Sequence, residues 1–495
     1  QKSILSPIIK FLKFWNKSYH YKIIIGKNRF KIQASVIYMS NMKINMNNPE
    51  DVSNSLTTKT LRVCVIGIGR IGLPTALSFA KSGLETIGVD INENLVQKIN
   101  AGIFPLKDEP GYEEIFHDVI KNKKFSATTK IEDGVPNSDL ILLSLPTPMD
   151  ENNIPDYSAL RNVGKQLSEI LSPNSLVIVE STIEPGFIEN EMVSIISTSE
   201  KLEVEKNFFI GVCPENANPG EILHDFTNLP RLVGGINDNI TKIIKSIYDF
   251  VFSVELVEMP DCKTANAVKL TTNVFRDVNI AFVSELSLMF EKLGIDTNKV
   301  LEAAKKKYNF QVHYPGAGVG GPCLPINSYQ LLNTAKRIGS NLSIIESGRK
   351  INEKMPQHVV DLTLDAFKES GNSISGSKIL ILGISYKPNV KDIQLTPAEH
   401  IIKKLKSLGA SVYIYDPYFS STKIFDTDVV ESISDELLQE IDASILVTAH
   451  EEFKKFNISN FSKMKTPILI DTRGIIDPIV AKESMLIFRG LGRGK

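Results

Sequence analysis

Val65-Ile-Gly-Ile-Gly-Arg-Ile-Gly-Leu-Pro74 decides the fold of the first half of this 495-residue chain. It overlaps the end of the apolar run Leu61–Ile66 and precedes a helical pattern, so it predicts a strand, a tight turn and a helix. The turn contains G-x-G-x-x-G at Gly67, Gly69 and Gly72. In such a turn the first glycine permits the bend, the second lets the backbone approach a pyrophosphate, and the third allows close helix–strand packing. The stretch therefore predicts a dinucleotide-binding unit.

An acidic residue ends the second predicted strand. Asp90 follows Glu85–Val89 and lies 18 residues after Gly72. A carboxylate at this place can bind a ribose 2′-hydroxyl and would repel a 2′-phosphate, so we expect NAD rather than NADP. The pyrophosphate would lie at the N-terminus of the helix, where free N–H groups and the helix dipole favour an anion.

Strands alternate with helical stretches on both sides of one long helix. Polar loops follow the predicted strands Leu140–Leu145, Leu176–Glu180 and Phe208–Cys213. No glycine or proline interrupts Cys262–Leu293, which predicts a single helix of about 45 Å. A second strand–turn–helix unit begins at Ser377. The expected fold class is therefore α/β, with two doubly wound parallel sheets flanking a central helical region.

The average composition hides a basic start. A net charge of −1, with 42% apolar and 23% charged residues, excludes a disordered or collagen-like chain and gives no field for nucleic acid. The first 40 residues contain eight Lys or Arg and no Asp or Glu, so the rest of the chain carries −9. We interpret residues 1–58 as an extension outside the fold. The alternative is a membrane anchor or a targeting peptide.

Cys323 is one of four cysteines, with Cys64, Cys213 and Cys262. Four are too few for a disulfide framework in a chain of this length, which points to reduced thiols and a cytoplasmic protein. Cys323 ends the run Gly316-Ala-Gly-Val-Gly-Gly-Pro-Cys323, whose glycines offer an open backbone that a substrate can approach. A thiolate there can be a nucleophile, whereas the alternative is a small apolar residue in a loop. We interpret the other three cysteines as core or incidental.

Three further polar residues are candidates for chemistry. Glu215 follows a buried strand and would face the ligand crevice, where it can act as a general base toward water or form a surface ion pair. Lys269 and Asn273 lie four residues apart on one face of the long helix. They can supply a cation and an amide donor to an oxyanion, although a lysine on a helix often belongs to a solvated face.

These motifs occur together, in an order that resembles the UDP-glucose/GDP-mannose dehydrogenase family over about residues 61–475. Besides the glycine turn, the matching segments are Gly88-Val-Asp90, Asn100-Ala-Gly102, Glu109-Pro-Gly111, Pro146-Thr-Pro148, Glu180-Ser-Thr-Ile-Glu-Pro-Gly186, Cys213-Pro-Glu215, Lys269–Glu285, Gly318-Val-Gly-Gly-Pro-Cys323, Arg349-Lys-Ile-Asn352, Met355-Pro356, Gly383-Ile-Ser-Tyr-Lys-Pro388, Asp416-Pro417 and Asp471-Thr-Arg473.

The resemblance implies a four-electron oxidation of a sugar C6 alcohol to a carboxylate, with two NAD⁺ used in succession, for polysaccharide or glycan precursors. It implies that Cys323 forms a thiohemiacetal and then a thioester, that Glu215 activates water, that Thr182 positions it, and that Lys269 and Asn273 stabilise the oxyanion. The implied cofactor-binding residues are Gly67, Gly69, Ile71, Gly72, Asp90, Thr147 and Thr182. The implied substrate-binding residues are Glu215, Lys269, Asn273, Gly318, Gly320, Lys387 and Arg473, and no metal is implied.

The resemblance also implies a domain plan and a partner. After the extension, residues 59–246 would bind NAD, residues 247–370 would form the central helical domain, and residues 371–495 would form a Rossmann-like domain that binds the UDP-sugar. A homodimer through the central helix is expected.

The substrate is suggested by one stretch of the chain. The segments Pro214–Gly220 and Pro230–Gly235 resemble the UDP-N-acetylhexosamine branch of the family. UDP-N-acetyl-D-mannosamine is thus the first expected substrate, with UDP-glucose and UDP-N-acetylglucosamine as alternatives. Three residues depart from the family pattern: Asn327 replaces an Asp, and Asn309 and Gln394 each replace an Arg. Since Asn327 keeps hydrogen bonding but loses a charge, reduced turnover is one expectation.

Three rival interpretations stay open at this point. A hydroxyacid dehydrogenase that performs a single oxidation shares the glycine turn and the Lys/Asn pair, but it would need neither Cys323 nor the second α/β unit. A UDP-sugar-binding protein with weak or no catalysis would fit Asn327. A membrane-tethered enzyme would use residues 1–40.

Overall fold

Two mostly parallel sheets, joined by long helices, form the scaffold. The structure is a computed structural model that describes residues 43–199, 201–420 and 422–493. The first sheet contains, in chain order, β1 Arg62–Ile66, β2 Glu85–Val89, β3 Phe125–Thr128, β4 Leu140–Leu143, β5 Ser175–Val179, β6 Phe208–Val212, β7 Arg231–Gly235 and β8 Leu256–Glu258. The second contains β9 Lys378–Leu382, β10 Ser411–Tyr415, β11 Lys423–Ile424, β12 Thr427–Val429, β13 Ala443–Leu446, β14 Ile468–Asp471 and β15 Ile487–Gly490.

Helices cover the sheets and connect them. Those of the first half are α1 Pro49–Thr57, α2 Gly72–Lys81, α3 Glu93–Asn100, α4 Tyr112–Lys121, α5 Ile131–Gly134, α6 Ser158–Ile170, α7 Val193–Ile196, α8 Ile222–Asn228 and α9 Asp238–Val251. The others are α10 Cys262–Leu293, α11 Thr297–Ala304, α12 Leu324–Arg337, α13 Ser343–Ser370, α14 Pro397–Ser407, α15 Asp435–Glu440 and α16 Pro478–Glu483.

The order of the strands places a crevice at the carboxyl end of each sheet. The first sheet runs β3-β2-β1-β4-β5-β6-β7-β8, and the second runs β11-β12-β10-β9-β13-β14-β15. In the first sheet, β1 pairs in parallel with both β2 and β4, so the strand order reverses at β1 and the later strands lie on its other side. In the second, β9 pairs in the same way with β10 and β13. Ligands of open α/β sheets bind at such switch points, and the predicted α/β class is confirmed.

Helix α10 begins and ends where the sequence predicts, because both ends have local signals. The Asp261 side chain accepts a hydrogen bond of 2.7 Å from the Thr264 N–H, which caps the first turn. Gly294 ends the helix with φ +70°, a left-handed conformation that favours glycine. The helix packs against α12 and α13, which together with it form the central region.

The interpretation of residues 1–58 as an extension outside the fold is wrong for its last part. Helix α1 lies within it and packs against α9. Met46, Val52 and Leu56 are buried, and burial of such side chains stabilises the fold. Residues 1–42, including the whole basic segment, lie outside the described residues. Among those that are described, no helix combines the length and the apolar character needed to cross a bilayer.

Two other predicted boundaries differ from the structure. The domain limit at residue 246 falls inside α9, whose buried Ile244 and Ile247 belong to the first α/β unit, so this limit is too early. Strand β4 ends at Leu143 rather than Leu145, because the Leu145 N–H donates to the Ser181 hydroxyl at 2.8 Å instead of continuing the ladder.

Candidate active site

The glycine turn between β1 and α2 has the shape that a dinucleotide needs. Gly67 has φ +87°, and a Cβ there would lie 2.4 Å from the Ser144 carbonyl oxygen. A Cβ on Gly72 would lie 1.8 Å from the Gly67 carbonyl oxygen. A Cβ on Gly69, by contrast, would meet no heavy atom within 4 Å. Two glycines thus serve packing, whereas the third leaves open space at the helix N-terminus, which fits a pyrophosphate.

Asp90 holds this turn in place from the end of β2. Its carboxylate accepts hydrogen bonds from the Ile68 N–H at 3.1 Å and the Asn92 N–H at 2.9 Å. Ile71, half-buried, directly precedes the first residue of α2. Asp90 lies where the second strand ends, which is the place from which a carboxylate reaches an adenosine ribose. The residues present therefore fit NAD.

Thr147 and Thr182 follow β4 and β5 and meet at the carboxyl edge of the first sheet. The Thr147 hydroxyl donates to the Thr182 carbonyl oxygen at 3.0 Å. The Gln330 side chain, from α12, donates to the same oxygen at 3.1 Å. These contacts bring the cofactor edge of the sheet against the helix that begins after Cys323.

Cys323 is exposed, unlike the other three cysteines, which are buried. It directly precedes α12, with Pro325 in the first turn of that helix. A proline in the first turn favours helix initiation, which explains why α12 begins directly after the cysteine. The N-terminus of α12 is a positive neighbour for a thiolate.

The glycines before Cys323 also have a reason in packing. A Cβ on Gly320 would lie 2.3 Å from the Leu395 carbonyl oxygen, and one on Gly316 would lie 2.3 Å from the Arg473 guanidinium. Gly318, with φ +135°, has more room, since a Cβ there would lie 3.2 Å from its nearest heavy atoms. The loop is glycine-rich because the second α/β unit packs against it, which leaves Cys323 fixed where the two units meet.

Lys269 lies next to this loop on α10 and is 7% exposed. Its ammonium donates to the Asn216 side-chain oxygen at 3.1 Å. Burial lowers the pKa of Lys269, while the neighbouring Cys323 and Glu215 oppose that shift and Arg276 adds to it. The predicted Lys269 and Cys323 are thus electrostatic neighbours, and the alternative of a solvated lysine face is wrong.

Asn273 and Asn327 form one hydrogen-bonded chain of amides. The Asn273 amide donates to Asn327 at 2.6 Å, and Asn327 donates to the Gln330 oxygen at 2.9 Å. The Asn327 backbone N–H also donates to the Cys323 carbonyl oxygen at 2.9 Å. Asn327 is therefore fully bonded as an amide, and a carboxylate in its place would have no hydrogen to offer Gln330.

Glu215 is held by three donors. One carboxylate oxygen accepts from the N–H groups of Asn216 and Ala217, at 2.6 and 2.8 Å. The other binds the guanidinium of Arg231, a buried residue of β7. Sequence reasoning missed Arg231, although a charged residue inside an apolar strand is a signal that a buried partner exists.

A small cleft lies beside one of the predicted cations of the second α/β unit. Arg473 lines it, together with Gly318 and Tyr386, and Lys387 follows Tyr386 in the chain. Within the described residues, neither the Arg473 guanidinium nor the Lys387 ammonium has a hydrogen bond or an ion pair. Unpaired cations beside a cleft suit an anionic diphosphate.

Asn309 and Gln394, which each replace an Arg of the family pattern, lie in different parts of the structure. Asn309 is exposed, and its side chain makes no hydrogen bond in the described part of the chain. The Gln394 carbonyl accepts from the Gly321 N–H at 2.9 Å, so its backbone supports the cysteine loop whichever side chain it carries.

Comparisons with known proteins agree with this arrangement. Residues 61–251, 263–354 and 380–478 match, in turn, the NAD binding, central and UDP binding domains of the UDP-glucose/GDP-mannose dehydrogenase family. A UDP-N-acetyl-D-mannosamine dehydrogenase of Pyrococcus horikoshii is 33% identical, over 88% of this chain and 100% of its own. A UDP-N-acetyl-D-glucosamine 6-dehydrogenase of Pseudomonas aeruginosa is 30% identical, over 85% of this chain and 98% of its own.

A solved structure described as UDP-D-ManNAc dehydrogenase from Pyrococcus horikoshii has the same fold. It superposes with a TM-score of 0.81 at 31% sequence identity, covering 88% of this chain and 99% of the other. Together, the matched domains, the fitted cofactor turn and the exposed cysteine between two α/β units lead to one conclusion. The chain belongs to the UDP-glucose/GDP-mannose dehydrogenase family and is an NAD-dependent nucleotide-sugar dehydrogenase.

Proposed function

We propose that this protein oxidises the C6 alcohol of UDP-N-acetyl-D-mannosamine to the uronate, for polysaccharide or glycan precursor synthesis. The observation that carries the proposal is the exposed Cys323 beside the buried Lys269 and the Asn273–Asn327 amides. A single oxidation to an aldehyde would need no such nucleophile. NAD, bound at the glycine turn, supplies the hydride acceptor for both oxidations.

The roles of the chain's own residues follow from their positions. The Cys323 sulfur adds to the C6 aldehyde to form a thiohemiacetal, and loss of hydride from that carbon leaves a thioester. Lys269 and Asn273 donate hydrogen bonds to the oxygen of each tetrahedral species. Thr182 and Glu215 orient the water that replaces the sulfur, which releases the carboxylate and restores the thiol.

The substrate-binding assignments are part of the same proposal. Arg473 and Lys387 would bind the diphosphate. Arg473 lines the cleft, Lys387 lies in the chain between the lining residues Tyr386 and Pro388, and neither side chain has an ion pair within the described residues. Gly318 and Gly320 would keep the cysteine loop close to the sugar. The two relatives described above act on UDP-N-acetylhexosamines, which supports that sugar class over glucose.

A comparison of substrates tests the choice of sugar. NADH formation would be measured side by side with UDP-N-acetyl-D-mannosamine, UDP-N-acetylglucosamine and UDP-glucose. We expect kcat/KM for the mannosamine derivative to exceed that for UDP-glucose by at least about tenfold. This is the discrimination that contacts to one additional substrate group usually give. A preference for UDP-glucose would overturn the choice of substrate, and no NADH from any of the three would overturn the proposed activity.

We also propose that the chain forms a homodimer through α10. Phe275, Phe282 and Met289 repeat every seven residues on one face of this helix and are 47–49% exposed. A second copy of the helix would cover this apolar face. Sedimentation should give a mass near twice 55.0 kDa, and Phe282→Glu should lower it to that of one chain. A monomeric unmodified protein contradicts the dimer.

A further inference from the structure

Arg231 is a buried cation enclosed by three aromatic rings. It lies on β7 and is 3% exposed. The centre of its guanidinium is 4.2 Å from the Phe252 ring centroid, 4.5 Å from that of Phe226 and 5.4 Å from that of Tyr248. Such rings stabilise a guanidinium electrostatically and prevent its movement. Arg231 is therefore a fixed positive charge beneath the candidate site.

Two carboxyl groups share this single cation. Glu215 binds it directly and also accepts two backbone N–H groups. Glu180, at the end of β5, has one oxygen at 3.9 Å from the same guanidinium nitrogen. That oxygen accepts a hydrogen bond of 2.7 Å from the Tyr248 hydroxyl.

This unequal support decides which carboxyl holds a proton. Glu215 has three donors, so its charge is well compensated. Glu180 is 1% exposed. Burial raises the pKa of Glu180 to about 7. The charge of Arg231 and the hydroxyls of Tyr248 and Thr75 oppose that shift, and the charge of Glu215 adds to it. Two like charges that share one cation do not both ionise readily, so Glu180 is the one that binds the proton.

The other titratable groups around this cluster stay protonated near neutrality. Burial raises the pKa of the Cys213 thiol to about 12. Burial also raises the pKa values of the Tyr248 and Tyr112 hydroxyls well above their usual range. Arg231 keeps its charge, because the carboxyl groups beside it outweigh the effect of its burial. Among the described residues, Tyr112 on α4, Cys213 after β6 and Tyr248 on α9 face the charged Glu215 and Arg231, and Glu109 acts in turn on Tyr112.

We propose that Arg231 and Glu180 are positioning residues for Glu215, and that the proton on Glu180 sets how strongly Glu215 attracts the hydrolytic water. The inference rests on the proposed function, in which Glu215 orients that water. While Glu180 is neutral, Glu215 is the only carboxylate of the pair that balances the charge of Arg231. This ion pair weakens Glu215 as an acceptor of a hydrogen bond from the water. When Glu180 loses its proton, a second negative charge draws on Arg231, and Glu215 becomes the stronger acceptor. Hydrolysis of the thioester therefore accelerates as Glu180 ionises.

The pH profile of thioester hydrolysis tests this proposal. In the unmodified enzyme we expect a burst of two NADH per site, followed by a hydrolysis rate that rises about tenfold between pH 5.5 and 9. A factor of ten corresponds to an interaction between Glu180 and Glu215 of one pKa unit. Glu180→Gln should keep the burst and remove the rise, leaving the rate at its low-pH value. Tyr248→Phe removes a donor to the charged form of Glu180, so the inflection should move to higher pH.

Glu184→Gln is the matched control, because Glu184 is a buried carboxyl on the same loop whose partners, Arg337 and Thr334, lie outside the cluster. It should leave the inflection in place. A Glu180→Gln enzyme that keeps the inflection overturns the proposal, as does a Tyr248→Phe enzyme whose inflection does not move. Absence of the NADH burst in the unmodified enzyme would instead overturn the proposed function.

Thermal unfolding tests the proton on Glu180 without any substrate. Since the folded state raises this pKa above the ordinary value of 4.5, the proton stabilises the fold at low pH. That stabilisation is lost as pH rises from about 4.5 to 7. The Tm of the unmodified protein should therefore fall, relative to that of Glu180→Gln, across this range and stay level above it. A constant difference in Tm across the range contradicts a shared proton.

Discussion

Cys323→Ser is expected to lower acid formation by more than about a thousandfold, because a serine hydroxyl is a far weaker nucleophile than a thiolate near neutral pH. The side chain is exposed at the start of α12, so the substitution removes no core contact. Binding of NAD and of the UDP-sugar, measured by calorimetry, should stay within a few-fold of that of the unmodified protein.

The control for this variant is another thiol. Cys262 is fully buried at the start of α10, and Cys262→Ala should retain acid formation. If Cys323→Ser still produced acid at the normal rate, the thioester route would be wrong. If it lost binding as well, the effect would be one on the loop rather than on the nucleophile.

Gly69→Ala is expected to weaken NAD binding by tenfold or more, about 1.4 kcal/mol, while leaving the Tm unchanged. A Cβ at this position meets no protein atom within 4 Å, so the fold tolerates it. It would occupy the space through which a pyrophosphate reaches the backbone. Fluorescence titration with NADH and thermal unfolding measure the two quantities separately.

Gly72→Ala should give the opposite result. Its Cβ would lie 1.8 Å from the Gly67 carbonyl oxygen, so β1 and α2 would have to move apart. We expect a lowered Tm in that variant, together with weakened NAD binding. Unchanged NAD affinity in Gly69→Ala would mean that the dinucleotide does not lie on this turn.

Features with local causes were predictable from the sequence. The ends of α10 follow from Asp261 and Gly294, and the first turn follows from its three glycines. The family could be predicted because many such motifs occur in one order. By contrast, α1 could not be predicted, because its apolar pattern is short and follows a long basic segment. The helix is explained by its packing against α9, which is distant in the sequence.

The interior of the candidate site was less predictable. Arg231 and Glu180 are far apart in the chain, and their pairing depends on the register of β5, β6 and β7. From the sequence, Asn327 is only the loss of an acid that the family has. The structure shows that its amide donates to Gln330, on the same helix. The glycine-rich cysteine loop predicts substrate approach, which stays a prediction, but the packing of Gly320 against the Leu395 carbonyl could not be predicted. These are tertiary contacts, which no local pattern specifies.

We infer that one active site performs both oxidations before the product leaves. The most direct measurement is the number of NADH formed for each uronate, with UDP-N-acetyl-D-mannosamine as substrate and an aldehyde-trapping amine present in solution. We expect two NADH per uronate and no trapped aldehyde, because Cys323 would hold the C6 carbon between the two steps. One NADH for each product molecule, or an aldehyde captured in proportion to the NADH formed, would contradict it.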